Sequence, residues 1–248
     1  MKKELDHRLG MKEYDMEEYW SKRAEYFDED GFKAICVFKA SRQVNEFFDT
    51  LQKSLFSKLL GKIGNLENKK VLEIGCGIGR WAKYLMEKEP TIQYTGIDVS
   101  PKMVEIAKKR VPSANFLNIS GDNLIFQDES FDLVFSITVL HHIPYEKQLK
   151  AVREMCRVTK RRGHIVIIED IKQPRNSFNM FAHPINEWRN LFERNDCQTL
   201  YLLKHKCTIP IPITNRMFVR MRIALEKVAP YILPEKYFSG VGIVWGKI

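Results

Sequence analysis

Residues 71–81 read VLEIGCGIGRW. A strand-like apolar run meets glycines at 75, 77 and 79, and a helix-like pattern begins at once. Glycines at such a junction let the chain turn tightly and let a ligand approach the backbone. The same rhythm continues outward. Strand-like runs fall at 70–75, 93–98, 114–119, 131–137 and 164–170, with helix-like stretches at 79–88, 101–111 and 145–160. Ser100-Pro101 supplies a hydroxyl N-cap and a proline at the first helical position. A helix near 185–194 and strands near 198–203 and 242–245 follow. Strands alternating with helices predict βαβ units with right-handed crossovers. The expected fold is therefore α/β, Rossmann-like and doubly wound, with a mostly parallel seven-stranded sheet.

Two segments stand outside this alternation. Residues 1–68 read as a helical N-terminal cap, with helices around 13–27 and 41–60, ahead of a sheet domain over 69–248. Residues 207–237 interrupt the last two strands, and their prolines bracket a helix near 215–228. Along that helix Met217, Phe218, Met221, Leu225 and Val228 recur at helical spacing beside Arg216, Arg220, Arg222 and Lys227. The expectation is a lid over an acceptor site; an anionic membrane surface is the other use of a basic amphipathic helix. The stretch 171–186, with Phe178, Phe181 and His183, and the N-terminal helices would supply the remaining walls.

The chain's 248 residues, 44% hydrophobic and 29% charged, suit a globular protein with a sizeable core. No run is long and apolar enough to span a bilayer, and the first residues lack a signal peptide's apolar region. Five scattered cysteines with no CxxC spacing argue against a disulfide framework or zinc site, and for a cytoplasmic location. The net charge of +9 is unevenly placed: residues 1–50 carry −3 and residues 201–248 carry +6. A basic C-terminal quarter suits an acidic substrate, a membrane surface or nucleic acid, and does not choose among them.

A dinucleotide fingerprint would read GxGxxG, but the third glycine's place is taken by Arg80, and the P-loop spacing is absent. Residues 70–170 instead resemble a class I S-adenosylmethionine-dependent methyltransferase, closest to the ubiquinone/menaquinone-type and other small-molecule enzymes. VLEIGCGIG resembles the first motif and YTGIDVS (94–100) the second. GDNLIFQDESFDLVFSITVLHHI (121–143) resembles the third, and EMCRVTKRRGHIVIIED (154–170) the closing helix and strand. In the last of these, RRG stands where the family usually carries a proline and glycines.

The resemblance implies S-adenosyl-L-methionine as cofactor and assigns residues to it. Gly75, Cys76, Gly77 and Gly79 would admit its methionine and ribose, and Glu73 would help anchor its ammonium. Asp98 would accept the ribose hydroxyls, with Val99 and Met103 beside the adenine. Asp122 would meet the adenine amino group, with backbone contacts from Asn123, and Ile137 would offer a carbonyl to the ammonium. Trp20 and Arg23, on one face of a helix resembling one that closes over the cofactor, would cover the site, Arg23 reaching the carboxylate. His141 and His142 are the candidate general bases; no carboxylate cluster accompanies them, and no metal is expected. The expected activity is methyl transfer to a small-molecule, lipid or glycan acceptor. A protein or RNA target, or a non-catalytic cofactor-binding module, are the alternatives. No DNA partner is expected, since no NPP[YF]-like run follows the fourth strand and Cys156 sits within a helical pattern rather than after a proline.

Overall fold

The computed structural model describes residues 13–27, 31–35, 41–172, 177–207, 216–234, 236 and 238–248. Three helices come first: α1 (Met16–Ala24), α2 (Phe32–Ile35) and α3 (Arg42–Leu60). The sheet domain then runs β1 (Lys70–Ile74), α4 (Arg80–Lys88), β2 (Gln93–Asp98), α5 (Pro101–Arg110), β3 (Asn115–Asn118) and β4 (Phe131–Ile137). A 3-10 turn at Leu140–His142 leads to α6 (Tyr145–Val158), β5 (Thr159–Asp170), α7 (Ile185–Glu193), β6 (Cys197–Cys207), α8 (Arg216–Ile232) and β7 (Phe238–Lys247).

The strands form one sheet in the order β3-β2-β1-β4-β5-β7-β6. All neighbours are parallel except β7, which runs antiparallel to both β5 and β6. This is the doubly wound, mostly parallel sheet that the alternating pattern predicts. Strand order reverses between β1 and β4, which opens a crevice beyond their carboxyl ends.

Alternation along each strand sorts its side chains to opposite faces. Leu72, Ile74, Val134, Ile165 and Ile167 pack toward α6 and α7, against Met155, Trp188 and Phe192. Val71, Leu133, Phe135, Val166 and Ile168 pack the other way, against Phe56, Leu59, Trp81, Leu85 and Ala107 of α3, α4 and α5. The helix α3 is thus built into the sheet's own core.

Several boundaries differ from the sequence reading. The α6 helix stops at Val158 rather than near 160, because Thr159 already pairs with Phe131 in the sheet while its hydroxyl donates back to the Met155 carbonyl at 2.7 Å. The helix α8 continues through Pro230 instead of ending near 228. In its last turn the missing N–H costs a single ladder bond. Residues 208–215, where the expected insertion begins, and 173–176 lie outside the described residues, as do the side chains of residues 216–220 and Lys227.

Candidate active site

The junction between β1 and α4 can fold only with glycine at its start. Gly75 has φ +74°, and a Cβ there would fall 2.4 Å from the Val139 side chain. At Gly79, φ +76°, a Cβ would come 3.3 Å from Ala107 and Phe116. The loop's hydrogen bonds say what it can bind. The N–H groups of Gly75 and Cys76 both donate to the Ile97 carbonyl at 2.8 Å, and that of Gly79 to Cys76. The Gly77 N–H donates to Asp98 Oδ2 at 2.8 Å. A loop with these donors engaged is not the bare amide nest that grips a pyrophosphate. It presents an acceptor, Asp98, to a ligand rich in donors.

Asp98 ends β2. Its other oxygen accepts the Ser100 N–H at 2.9 Å. Burial raises its pKa to about 6, against the lowering effect of those two backbone donors. Each oxygen keeps acceptor capacity beyond its one protein bond.

The cleft at the switch point spans about 840 Å3 of space between atoms, part of it open solvent. Of the residues expected from sequence, it brings together Trp20, Gly75, Cys76, Gly77, Asp98, Val99, Met103, Ile137 and His142. Glu73, Gly79, Arg23, Asp122, Asn123 and His141 do not line it. Glu73 alternates onto the opposite sheet face from Ile74, where its carboxylate accepts the Tyr94 hydroxyl, and burial raises its pKa to about 8. Asp122 lies just behind the wall, with its carboxylate on the Ser120 hydroxyl, and Asn123 is exposed. Arg23 is buried, its guanidinium 5.6 Å from the Trp20 ring and in contact with the Tyr19 hydroxyl at 3.3 Å.

Sequence reasoning missed several wall residues: Met16, Ile35, Ser120, Gly121, Thr138 and Val139. Chemically plain residues such as these carry no signal of their own. Arg80 reaches the wall, yet its guanidinium donates to Asp49 at 3.2 Å and Gln52 at 2.7 Å on α3, and lies 4.3 Å from the Trp81 ring. It ties the start of α4 to α3.

The two histidines have different surroundings. His141 is buried, and its Nδ1 meets the carboxylate of Glu169. The same carboxylate accepts the N–H groups of Val139, Leu140 and His141 at 3.0–3.2 Å. His142 faces the cleft, its Nδ1 2.6 Å from the Asn179 carbonyl and its ring 5.1 Å from that of Trp20. That bond fixes the proton on Nδ1 and leaves Nε2 as the acceptor. Burial lowers the His142 pKa to about 3, reinforced by His141 and Arg23. The ring is neutral at physiological pH.

An aromatic group closes over this end. The Tyr14 hydroxyl donates to the His142 carbonyl at 2.8 Å, and burial pushes its pKa up. Tyr14 and Tyr19 each pack edge-on to Phe178, at 5.8 Å. The Phe181 N–H donates to the His141 carbonyl at 2.6 Å. Among the described residues, none from 207–237 lines the cleft, and no group of three or more His, Cys, Asp or Glu could hold a metal ion.

Residues 72–167 match a family described as "Methyltransferase domain". Over 138 residues the chain is 32% identical to the phthiotriol/phenolphthiotriol dimycocerosates methyltransferase of Mycobacterium leprae, covering 55% of this chain and 47% of that protein. Over 102 residues it is 40% identical to the demethylmenaquinone methyltransferase of Thermotoga maritima, covering 41% of this chain and 43% of that one. The chain thus spans somewhat under half the length of these relatives. Among solved structures, geranyl diphosphate C-methyltransferase from Streptomyces coelicolor superposes with a TM-score of 0.67 at 12% identity, over 95% of this chain and 98% of that one. The [4+2]-cyclase SpnF superposes at 0.59 with 16% identity, over 79% and 80%. At such identities the likeness is one of fold, and the cyclase illustrates that this fold hosts more than one chemistry.

Proposed function

We propose, from the premise that residues 72–167 form a domain of the class I S-adenosylmethionine-dependent methyltransferase family, that the chain transfers a methyl group to a small-molecule or lipid acceptor. The observation that carries this reading is Asp98, a cleft-facing carboxylate at the end of β2 beside a loop whose donors are engaged. The donor set fits the cofactor: hydroxyl and ammonium groups need acceptors, and Asp98 and the loop carbonyls are acceptors. In this reading Asp98 holds the two ribose hydroxyls, and Gly75, Cys76 and Gly77 flank the methionine. Val99 and Met103 pack on the adenine; Asp122 and Asn123, which do not line the cleft, would reach its edge only by turning inward from the Ser120 hydroxyl and from solvent. The Ile137 carbonyl, which also accepts the Thr138 hydroxyl at 2.7 Å, faces the ammonium.

The bound cofactor supplies a methyl group already activated on a sulfonium sulfur. The chain's own contribution is orientation and exclusion of water, effects together worth several kcal/mol. Trp20, His142 and the Tyr14–Tyr19–Phe178 group exclude water from the cleft's apolar end. His142, neutral with its proton on Nδ1, shapes that wall and takes up no second proton near neutral pH. Glu169 and His141 act from behind it, holding the backbone of residues 139–141. The names of the two relatives, an enzyme of a mycocerosate lipid and one of a quinone, support an apolar acceptor here.

Titration calorimetry with S-adenosylmethionine and its demethylated product tests the binding half. Labelled-methyl transfer into lipid, metabolite, protein and RNA fractions tests the rest. Binding with label in the lipid or metabolite fraction is expected. No binding overturns the reading; binding without any labelled product leaves a cofactor-binding module, and label in protein or RNA reassigns the acceptor.

A further inference from the structure

The helix α8 is amphipathic in sequence, and the structure turns an ion pair inward and an apolar face outward. Its ion pair faces the protein: Arg222 Nη2 lies 3.2 Å from Glu226 Oε1, with the side chains 13% and 6% exposed. Glu226 borders a small cavity with Leu51, Leu55 and Leu203. Ala229 is buried beside Phe238, with Leu225 and Leu233 packed against them. Outward stand Met221, Val228 and Tyr231, exposed by 49%, 54% and 67%, with Ala224 exposed between them. Steps of three, four and three residues put all four on one face of a 3.6-residue helix.

A helix bathed only in water gains by the opposite arrangement. Burying an ion pair costs desolvation, and exposing three large apolar side chains forfeits transfer energy. The outer face of α8 is thus complementary to an apolar phase. The charge nearby identifies which one. Residues 201–248 hold 8 basic and 2 acidic side chains, a net of +6, with Arg222 turned onto Glu226 and Lys206 onto Asp170. An apolar helix face in a strongly basic segment matches the boundary between acyl chains and anionic headgroups. Tyr231, whose hydroxyl is bonded with that of Tyr201, offers the wet-and-apolar ring that such boundaries favour. Among the described residues no helix is long and apolar enough to cross a membrane, so the fit is to lying on the surface.

We propose that α8 docks this chain on an anionic membrane surface through Met221, Ala224, Val228 and Tyr231. The topology gives the docking a direction. β6 and β5 are both antiparallel to β7, so β6 ends, and the segment bearing α8 begins, at the sheet edge where the cleft opens. Docking therefore brings the cleft's edge toward the bilayer. The proposal stands on α8 alone; if the methyl-transfer reading also holds, the acceptor is one that partitions into lipid.

The test is co-sedimentation of the full chain with vesicles of equal parts phosphatidylcholine and phosphatidylglycerol, beside vesicles of phosphatidylcholine alone. The comparison variant is Met221→Ser, Val228→Ser, which keeps every charge, alters only exposed positions and leaves the Tyr231–Tyr201 bond in place. Wild type should bind the anionic vesicles, and the variant should bind them at least about tenfold more weakly, with cofactor affinity and melting temperature unchanged. Failure of the folded wild type to bind overturns the proposal. Equal binding by the variant also overturns it, because attraction of net charge alone would then suffice. Concentration-dependent dimerisation that the variant abolishes, without vesicle binding, assigns the face to a second copy of this chain. Cofactor titration on the same samples separates these outcomes from failure of the methyl-transfer reading.

Discussion

Two parallel strands of this sheet end in aspartate, and the two ends do different work. At the end of β2, Asp98 meets only neutral, local partners, the N–H groups of Gly77 and Ser100, and burial raises its pKa to about 6. At the end of β5, burial also acts to raise Asp170, but Lys206 and His141 outweigh it and bring the pKa to about 2. A carboxylate left without a cation keeps its acceptor capacity for a ligand. One given a cation becomes a fastener between strands, here joining β5 to β6. The contrast separates the part of the site that binds from the part that holds it in shape.

The largest expected effect lies at the fastening end. Glu169→Ala would strand the N–H groups of Val139, Leu140 and His141 together with the His141 ring, all at a fully buried position. Loss of roughly 3 kcal/mol or more of stability is expected. Denaturant unfolding measures it, and a loss below that of an ordinary surface substitution would break the distinction between the two ends.

At the binding end the effect should be smaller and of another kind. Asp98→Ala should weaken cofactor binding by about 1–3 kcal/mol, roughly five- to 150-fold in Kd, while costing much less stability than Glu169→Ala. The two aspartates should also respond to pH with opposite sign. Asp170, lowered in the fold, contributes stability that is complete above its unfolded value near 4 and is lost as pH falls toward 2. Asp98, raised in the fold, binds its proton more tightly there than in the unfolded chain. Its contribution is greatest below pH 4 and declines as pH rises toward 6. The ionised form is the better acceptor, so cofactor affinity should fall as pH drops through 6. Asp98→Asn should flatten that dependence, and calorimetry across the range checks both statements. A dependence unchanged in the variant would move its origin elsewhere in the cleft.

The smallest effect is expected at His142. With a folded pKa of about 3 it should contribute no limb to the pH–rate profile between 5 and 8. A His142→Gln variant that removes such a limb would restore the ring as a general base.

The binding end was legible because its parts are close in sequence. The glycines, Asp98 and Ser100 belong to successive strand ends, and strand periodicity places those ends together. The fastening end was hidden because its partners come from afar. Glu169 finds Val139–His141 thirty residues back, and Asp170 finds Lys206 on a strand that reaches β5 only through β7. Nothing in IIED separates a fastener from a ligand-binding acid. The partners of Arg80 are hidden for the same reason, since Asp49 and Gln52 lie on a helix whose packing no local pattern specifies. The outward face of α8 is hidden in the sequence because an apolar stripe shows which residues share a face, and not which way that face points.

The place of β7 between β5 and β6 carries a consequence for biosynthesis. A ribosome delivers β6 before β7, yet β6 pairs with the sheet only through β7. Until β7 emerges, the nascent chain holds β5 as an open apolar edge, with Ile165, Val166, Ile167 and Ile168 unable to complete their ladder. Such an edge is a template for another strand, including that of a neighbouring nascent chain. β7 is therefore also the seal, and the interval before its arrival is when the β5 edge is open to other strands.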